Sequence, residues 1–360
     1  MNTDPRNINF FIHDLTSPYV FSIAKDIKEL IEKDIESVTF ELSARGSVEP
    51  FGMLLVGSVI RQFCADFNGQ VFINFNSINS YAGTMGFYQY AFPGCSEGKA
   101  PGEALGSNRY IPISEICINK LREDFRQKGQ FLEDGHLIEK EAYHLADVLV
   151  GNNKELKILL TYLLREMMRN TPEHAESPEI WICAQFWPKS DWAEIALLDE
   201  GIGVFQSLTK NPYHRKYIND EKSALHWATK AGISQAFSPD KKDKGFDDWS
   251  NSGFGLYMAS QICKKLGGEF HIASKNNYLA IEQYRTIDKP TYCLGTAVRM
   301  RIKRSELKTA AQLIIDETRK EAELQAKGTR TAFKQASLPS RGLMERLEIP
   351  LETTKWNPQG

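Results

Sequence analysis

Hydrophobic positions follow two different periods along this chain. Val38-Thr-Phe-Glu-Leu42 places β-branched and aromatic residues at every second position, which predicts a strand. Ser17 to Lys33 and Phe51 to Phe67 carry apolar residues at helical spacing, the second ending at the stop signal Asn68-Gly69. Val71 to Phe75 reads as another strand, and Ser80 to Met85 as a short helix stopped by Gly86. So tight an alternation predicts a small α/β layer domain over residues 1–92.

The periodicity then lapses. Pro93 to Ile113 holds seven prolines and glycines, which predicts a linker over 93–112. Helical patterns resume from Ile113, and the strongest runs from Glu155 to His174 with Leu156, Leu159, Leu160, Leu163, Leu164, Met167 and Met168 on one face. Strands are expected at Ile180–Trp187 and Trp192–Asp199, followed by a polar, glycine-bearing region up to Ser252. A helix from Leu256 to Leu266 stops at Gly267-Gly268, and strand-like segments recur at Phe270–Ser274, Leu279–Thr286 and Thr296–Ile302. Ser305 to Lys327 predicts a helix that either docks on its own domain or meets a partner. A polar tail completes the chain to residue 360.

Composition narrows the classes. A hydrophobic fraction of 42% supports real cores and excludes disorder over the whole length. Lys and Arg number 44 against 46 Asp and Glu, a net charge of −2, so nucleic acid is unsupported as a partner. No apolar run nears the roughly 20 residues that cross a bilayer. The opening Met-Asn-Thr-Asp-Pro-Arg-Asn shows no secretory pattern. Six scattered cysteines never form CxxC, and buried, reduced thiols in a cytoplasmic protein are expected.

Three islands carry the candidate chemistry. Glu166, Asn170 and His174 are each four residues apart, on one helix face, with Pro172 expected to kink or loosen the helix. Asp199-Glu-Gly201-Ile-Gly203 ends an apolar strand, so a carboxylate stands beside backbone that lacks a Cβ barrier. Asn251-Ser-Gly253-Phe-Gly255-Leu256 opens a helix, where free N–H groups and the helix dipole favour an anion. Taken singly, each also reads as an ordinary solvated stripe, turn or helix start.

In order, and with Gly295-Thr296 opening a final strand, the islands resemble the GHKL family of ATP-binding domains over residues 140–304. That family includes gyrase B subunits, heat-shock chaperones of the ninety-kilodalton class, mismatch-repair ATPases and histidine kinases. The resemblance implies a two-layer sandwich of helices on a mixed sheet, within a GHKL domain spanning 113–304, with ATP and magnesium as cofactors. It implies Glu166 as the general base that polarises the attacking water, and Asn170 as the oxygen donor to magnesium. Asp199 matches the carboxylate that accepts from adenine's amino group, with Gly201 and Gly203 admitting the base. Gly253 and Gly255 match the phosphate cradle, Leu256 the anchor of its helix, and Thr296 the support of the adenine-side carboxylate. His174 falls where a basic or polar residue often lies near phosphate.

Residues 8–92 are similar to the STAS fold of anti-sigma-factor antagonists. Pro50 and Phe51 stand where that family carries a phosphorylatable serine, so a phospho-switch there is not expected. The combined resemblance implies slow magnesium-dependent ATP hydrolysis, with the segment 204–252 as a lid, in a bacterial regulatory or defence assembly. Alternatives are a serine/threonine protein kinase like the anti-sigma-factor kinases, or a non-catalytic nucleotide-gated module. A protein partner is expected through the STAS-like domain or the C-terminal helix, and a homo-oligomer is possible. His144 lacks the acidic residue that follows a phosphoacceptor histidine, which disfavours a sensor kinase.

Overall fold

The alternating apolar residues of the first hundred positions build a parallel sheet. In a computed structural model, residues 6–43, 46–77, 79–127, 129, 132–150, 153–175, 177, 179–239 and 252–336 are described, without the side chains of 76, 77, 173 and 174. Strands β1 (Asn7–Ile12), β2 (Ser37–Ser43) and β3 (Gln70–Ser77) pair in that order, both pairings parallel. Parallel neighbours need crossovers, and α1 (Tyr19–Leu30) and α2 (Pro50–Asp66) supply them. Two short helices follow, α3 (Ser80–Thr84), capped by the Asn79 carboxamide, and α4 (Phe87–Ala91).

Helix α2 is buried at every position from Pro50 to Ile60. A helix apolar all round is covered all round. On one side Phe63 meets Phe40 of β2 edge-on, at 5.6 Å between ring centroids. On the other side α2 lies on a second, seven-stranded sheet. Small side chains there, Ala196 and Ala297 among them, belong to the same buried cluster and permit close approach. Phe21 of α1 stacks on Tyr278 at 3.6 Å. The two parts of the chain therefore share one core.

The second part begins earlier than its periodicity predicts. Tyr110–Cys117 forms strand β4, so the expected linker gives way to sheet before Ile113, and the helical pattern expected there starts only with α5 (Ile118–Gln127). Helices α6 (Asp134–Val150) and α7 (Lys154–Asn170) follow, the latter capped by Asn153. Beyond Asn170 the helix loosens into one π turn, Thr171–Ala175, around Pro172, which has no N–H to give. Strands β5 (Glu179–Trp187) and β6 (Trp192–Asp199) form a hairpin. Next come α8 (Val204–Thr209), α9 (Pro212–Arg215), α10 (Glu221–Ala228) and α11 (Gly255–Lys265). The chain continues through β7 (Glu269–Ser274), β8 (Asn277–Ile281), β9 (Thr286–Pro290), β10 (Thr296–Lys303) and α12 (Ala311–Lys327). The single segment expected at Leu279–Thr286 thus spans the end of β8, a turn and the start of β9.

The protein is α/β, with sheet order β4-β5-β6-β10-β7-β8-β9 in its second part. Every pairing in this sheet is antiparallel, where a mixed sheet was expected. β10 returns between β6 and β7 and runs antiparallel to both, which separates the two strands that would otherwise have paired in parallel. Helices α6, α7, α11 and α12 cover the face opposite α2. The buried face of α12 packs on α7 and α11, so this helix docks on its own domain. All six cysteines are free. Among the described residues no helix is long and apolar enough to cross a membrane.

Candidate functional site

Pairing register across three strands lays out the floor of a cleft. Leu197 of β6 stands opposite Val298 of β10, which stands opposite Ile272 of β7. Two residues along each strand, on the same face, Asp199 stands opposite Thr296 and Thr296 opposite Ser274. An apolar row thus borders a polar row. Met167 and Asn170 of α7 wall one side, Val204 and Leu208 of α8 another, and Gly253, Gly255 and Leu256 close the end at α11. The enclosed space is about 90 Å³, room for roughly six to nine waters, and suits a flat ring lying on the apolar row.

Asp199 is the charged member of the polar row. Its Oδ1 accepts from the Gly201 N–H at 2.9 Å and from the Thr296 N–H at 3.3 Å. Oδ2 has no partner among the described residues, so one acceptor remains for a ligand. Burial pushes the carboxyl up to about 6, against the two backbone donors and the Lys275 charge. Thr296 lines the cleft and steadies Asp199 with its main-chain N–H. Gly295 is a part of this arrangement that residue type alone does not reveal: a Cβ there would lie 2.5 Å from Asp199 Oδ1 and 2.4 Å from the Gly201 nitrogen.

The two glycines after Asp199 separate in role. Gly203 lines the cleft with φ at +82°. Gly201, expected to admit a flat base, faces the π turn instead, where a Cβ would stand 2.0 Å from the Ala175 carbonyl oxygen. That carbonyl accepts from Ile202 N–H at 2.9 Å, which draws the strand end against the π turn that follows α7. Lys275 locks the same backbone. Its Nζ donates to the carbonyls of Gly201, at 2.8 Å, and of Leu294. A turn signal, Lys275-Asn-Asn277, marks the hairpin in the sequence, but nothing there aims the lysine at Gly201.

Two helix starts face the cleft, and they differ. At α8, Ser274 Oγ accepts from Val204 N–H at 2.9 Å and Glu221 Oε1 from Phe205 N–H at 3.2 Å, so its first donors are taken. At α11 the N-cap is Phe254, and no side chain caps the helix. Its first amides and dipole are the ones left to an anion. Gly253, at φ +73°, passes so close to Ile233 that a Cβ would meet that carbonyl oxygen at 2.1 Å.

Glu166 lies just behind this helix start. Arg165 Nη2 donates to its Oε1 at 2.7 Å, and a Cβ on Gly255 would lie 3.1 Å from its Oε2. One oxygen is thus held by a buried arginine while the other faces α11. Asn170 lines the cleft one helical turn further on. The side chain of His174 lies outside the described residues, as do Asn251 and the Lys241–Lys244 cluster of the expected lid. Among the described residues no three His, Cys, Asp or Glu side chains gather as a metal site. A magnesium ion here would therefore take Asn170 together with ligand phosphates and water, which suits its preference for few protein oxygens.

The described part of the segment expected as a lid is firmly held. Asn211 Nδ2 donates to the carbonyls of Gln235 and Phe237, both at 2.8 Å. His214 Nε2 bonds the Ser234 carbonyl at 2.8 Å while Trp227 Nε1 approaches Nδ1 at 3.4 Å. A carbonyl can only accept and an indole N–H only donate, so His214 is the neutral Nε2–H tautomer. Burial also lowers its proton affinity. Compared with protein-family models, with curated proteins and with solved structures, the chain matches none of them.

Proposed function

We propose that this chain is a GHKL-type ATP-binding protein that hydrolyses ATP slowly with magnesium and serves as a conformational switch in a regulatory assembly. The observation that carries the reading is convergence. Asn170, Asp199, Gly203, Gly253, Gly255, Leu256 and Thr296, drawn from four separated stretches of sequence, line one cleft, with Glu166 directly behind Gly255. Asp199 Oδ2 accepts a hydrogen bond from the adenine amino group, and the Leu197–Val298–Ile272 row supports the ring. The uncapped start of α11 donates to the phosphates. Glu166 Oε2 orients a water beside them and takes its proton. When bound, magnesium neutralises phosphate charge, as phosphoryl transfer requires.

Calorimetry with ATP and magnesium tests the site. Asp199→Asn is expected to weaken ATP by about ten- to a hundredfold, the worth of a hydrogen bond to a charged group. Glu166→Ala is expected to abolish turnover while leaving binding nearly intact. Equal ATP affinity in wild type and Asp199→Asn would remove the nucleotide from this cleft.

A further inference from the structure

Asp199 and Glu200 are consecutive at the end of β6, so their side chains leave the chain on opposite faces. Asp199 enters the cleft. Glu200 turns to the face covered by α2, where its Oε1 accepts from Ser58 Oγ at 2.7 Å and from Arg61 Nη2 at 2.5 Å. The Arg61 guanidinium lies 4.6 Å from the centroid of Tyr90 and 4.8 Å from that of Trp181, and those rings pack together at 4.8 Å. Ser58, Arg61 and Tyr90 belong to the N-terminal layer, whereas Trp181 and Glu200 belong to the sheet that carries the cleft. A planar cation held between two rings and aimed at one carboxylate is a fixed strut.

We propose that Arg61 is a positioning residue for the cleft carboxylate: from the N-terminal layer it holds Glu200 so that Asp199 stays aimed at the ligand with its charge available, and the seating of that layer sets purine affinity. The proposal rests on the nucleotide reading only for the identity of the ligand. Two physical effects produce the coupling. The charged and titratable groups around Asp199 are Glu200, Lys275 and the Cys293 thiol. Lys275 is committed to two carbonyls, so Glu200 is the charge that a neighbour can switch. With Arg61 in place the Glu200 charge is offset; without it, that charge favours the proton on Asp199. Geometry acts alongside, because Glu200 precedes the Gly201 N–H that donates to Asp199 Oδ1. Anchoring Glu200 fixes that peptide. Linkage is reciprocal: a ligand on Asp199 tightens the seating of α2, and a partner that lifts α2 weakens the ligand.

The test uses the full chain carrying Arg61→Gln, Glu200→Gln, or both. Carboxyl carbon NMR follows the Asp199 titration without nucleotide, and calorimetry at pH 6 follows ATP. Arg61→Gln is expected to move the Asp199 midpoint upward, and a rise of one pH unit would weaken ATP about fivefold at pH 6. Glu200→Gln is expected to move the midpoint down, and the double variant to lose the upward movement, since no charge remains to offset. A folded Arg61→Gln protein whose midpoint stays in place overturns the proposal, and so does a moved midpoint with unchanged ATP affinity. If Arg61→Gln fails to fold, Glu200→Gln decides alone: downward movement supports the coupling and none overturns it. A midpoint that moves in a protein that binds no ATP leaves Arg61 as the strut and discards the nucleotide reading.

Discussion

Asp199 is 7% exposed, and its carboxyl is pushed up to about 6 from an ordinary 3.8, chiefly by burial. The sign of that shift fixes two opposite pH responses. A raised folded value means the group favours the fold most fully below 3.8, and that contribution is lost as pH climbs through about 6. Ligand binding runs the other way, because a donor such as the adenine amino group needs the ionised carboxylate. ATP affinity is expected to be nearly flat above pH 7 and to fall about fivefold between pH 6 and pH 5. Calorimetry across pH 5 to 8 measures this. The same series on Asp199→Asn should be weak and level, and a sloping profile in that variant would place the titrating group elsewhere. That Asp199 ends a strand beside glycine-bearing backbone was legible from the strand-Asp-x-Gly-x-Gly pattern. That its neighbour Glu200 meets Ser58 and Arg61 on the opposite face follows only from the packing of α2.

Elements with regular apolar spacing were the readable ones. α11 presses one stripe into the core, whereas α7 from Leu159 to Arg169 and β6 from Ala193 to Asp199 are buried on every side, yet their apolar spacing still announces them. β4 is not legible in the sequence because Pro112 and the glycines before it look like loop. It is an edge strand, where a missing N–H is tolerated, and its pairing with β5 slips between Ile111 and Ser114. The roles of Gly201, Lys275 and Gly295 were hidden for a different reason: each depends on which backbone arrives opposite, and sequence spacing does not encode that. The segment from Ile233 to Phe237 is a similar case. It has no regular helix or strand yet walls the cleft, because Asn211 and His214 satisfy its carbonyls. Asn211→Ala strands two acceptors in a buried site, at a cost of about 1–3 kcal/mol each where water cannot replace the donor. Urea unfolding is expected to register the loss, and amide exchange at 235–237 to speed up while α7 stays protected. Unchanged exchange there would mean that the wall stands without Asn211.

At the scale of the whole molecule, one arginine joins the layers. Arg299 is 1% exposed and uses all three of its nitrogens. Nε donates to Glu194 Oε2 at 3.0 Å, Nη1 to Glu269 Oε2 at 2.8 Å, and Nη2 to Glu49 Oε2 at 3.1 Å. Arg301 adds a bond to Glu49 Oε1 at 3.0 Å, and Glu194 Oε1 receives the Phe51 N–H at the start of α2 at 3.1 Å. The three strands that carry the polar row of the cleft are thus tied, at their other positions, to the helix of the N-terminal layer. Removing one partner of a buried network leaves charges unpaired, so Arg299→Met is expected to cost about 3–5 kcal/mol in urea unfolding. Arg285→Met, which breaks an exposed pair with Glu282, should leave the midpoint in place. His271 faces the same network, and burial, then Arg299 and Arg301, hold its proton affinity well below the ordinary value of 6.5. A lowered folded value supplies stability that is full above 6.5 and drains as pH falls. Arg299→Met removes one of the repelling charges, so the variant should be weaker at neutral pH yet lose less of its remaining stability between pH 7 and 5. A parallel decline in both proteins would show that His271 does not sense this arginine.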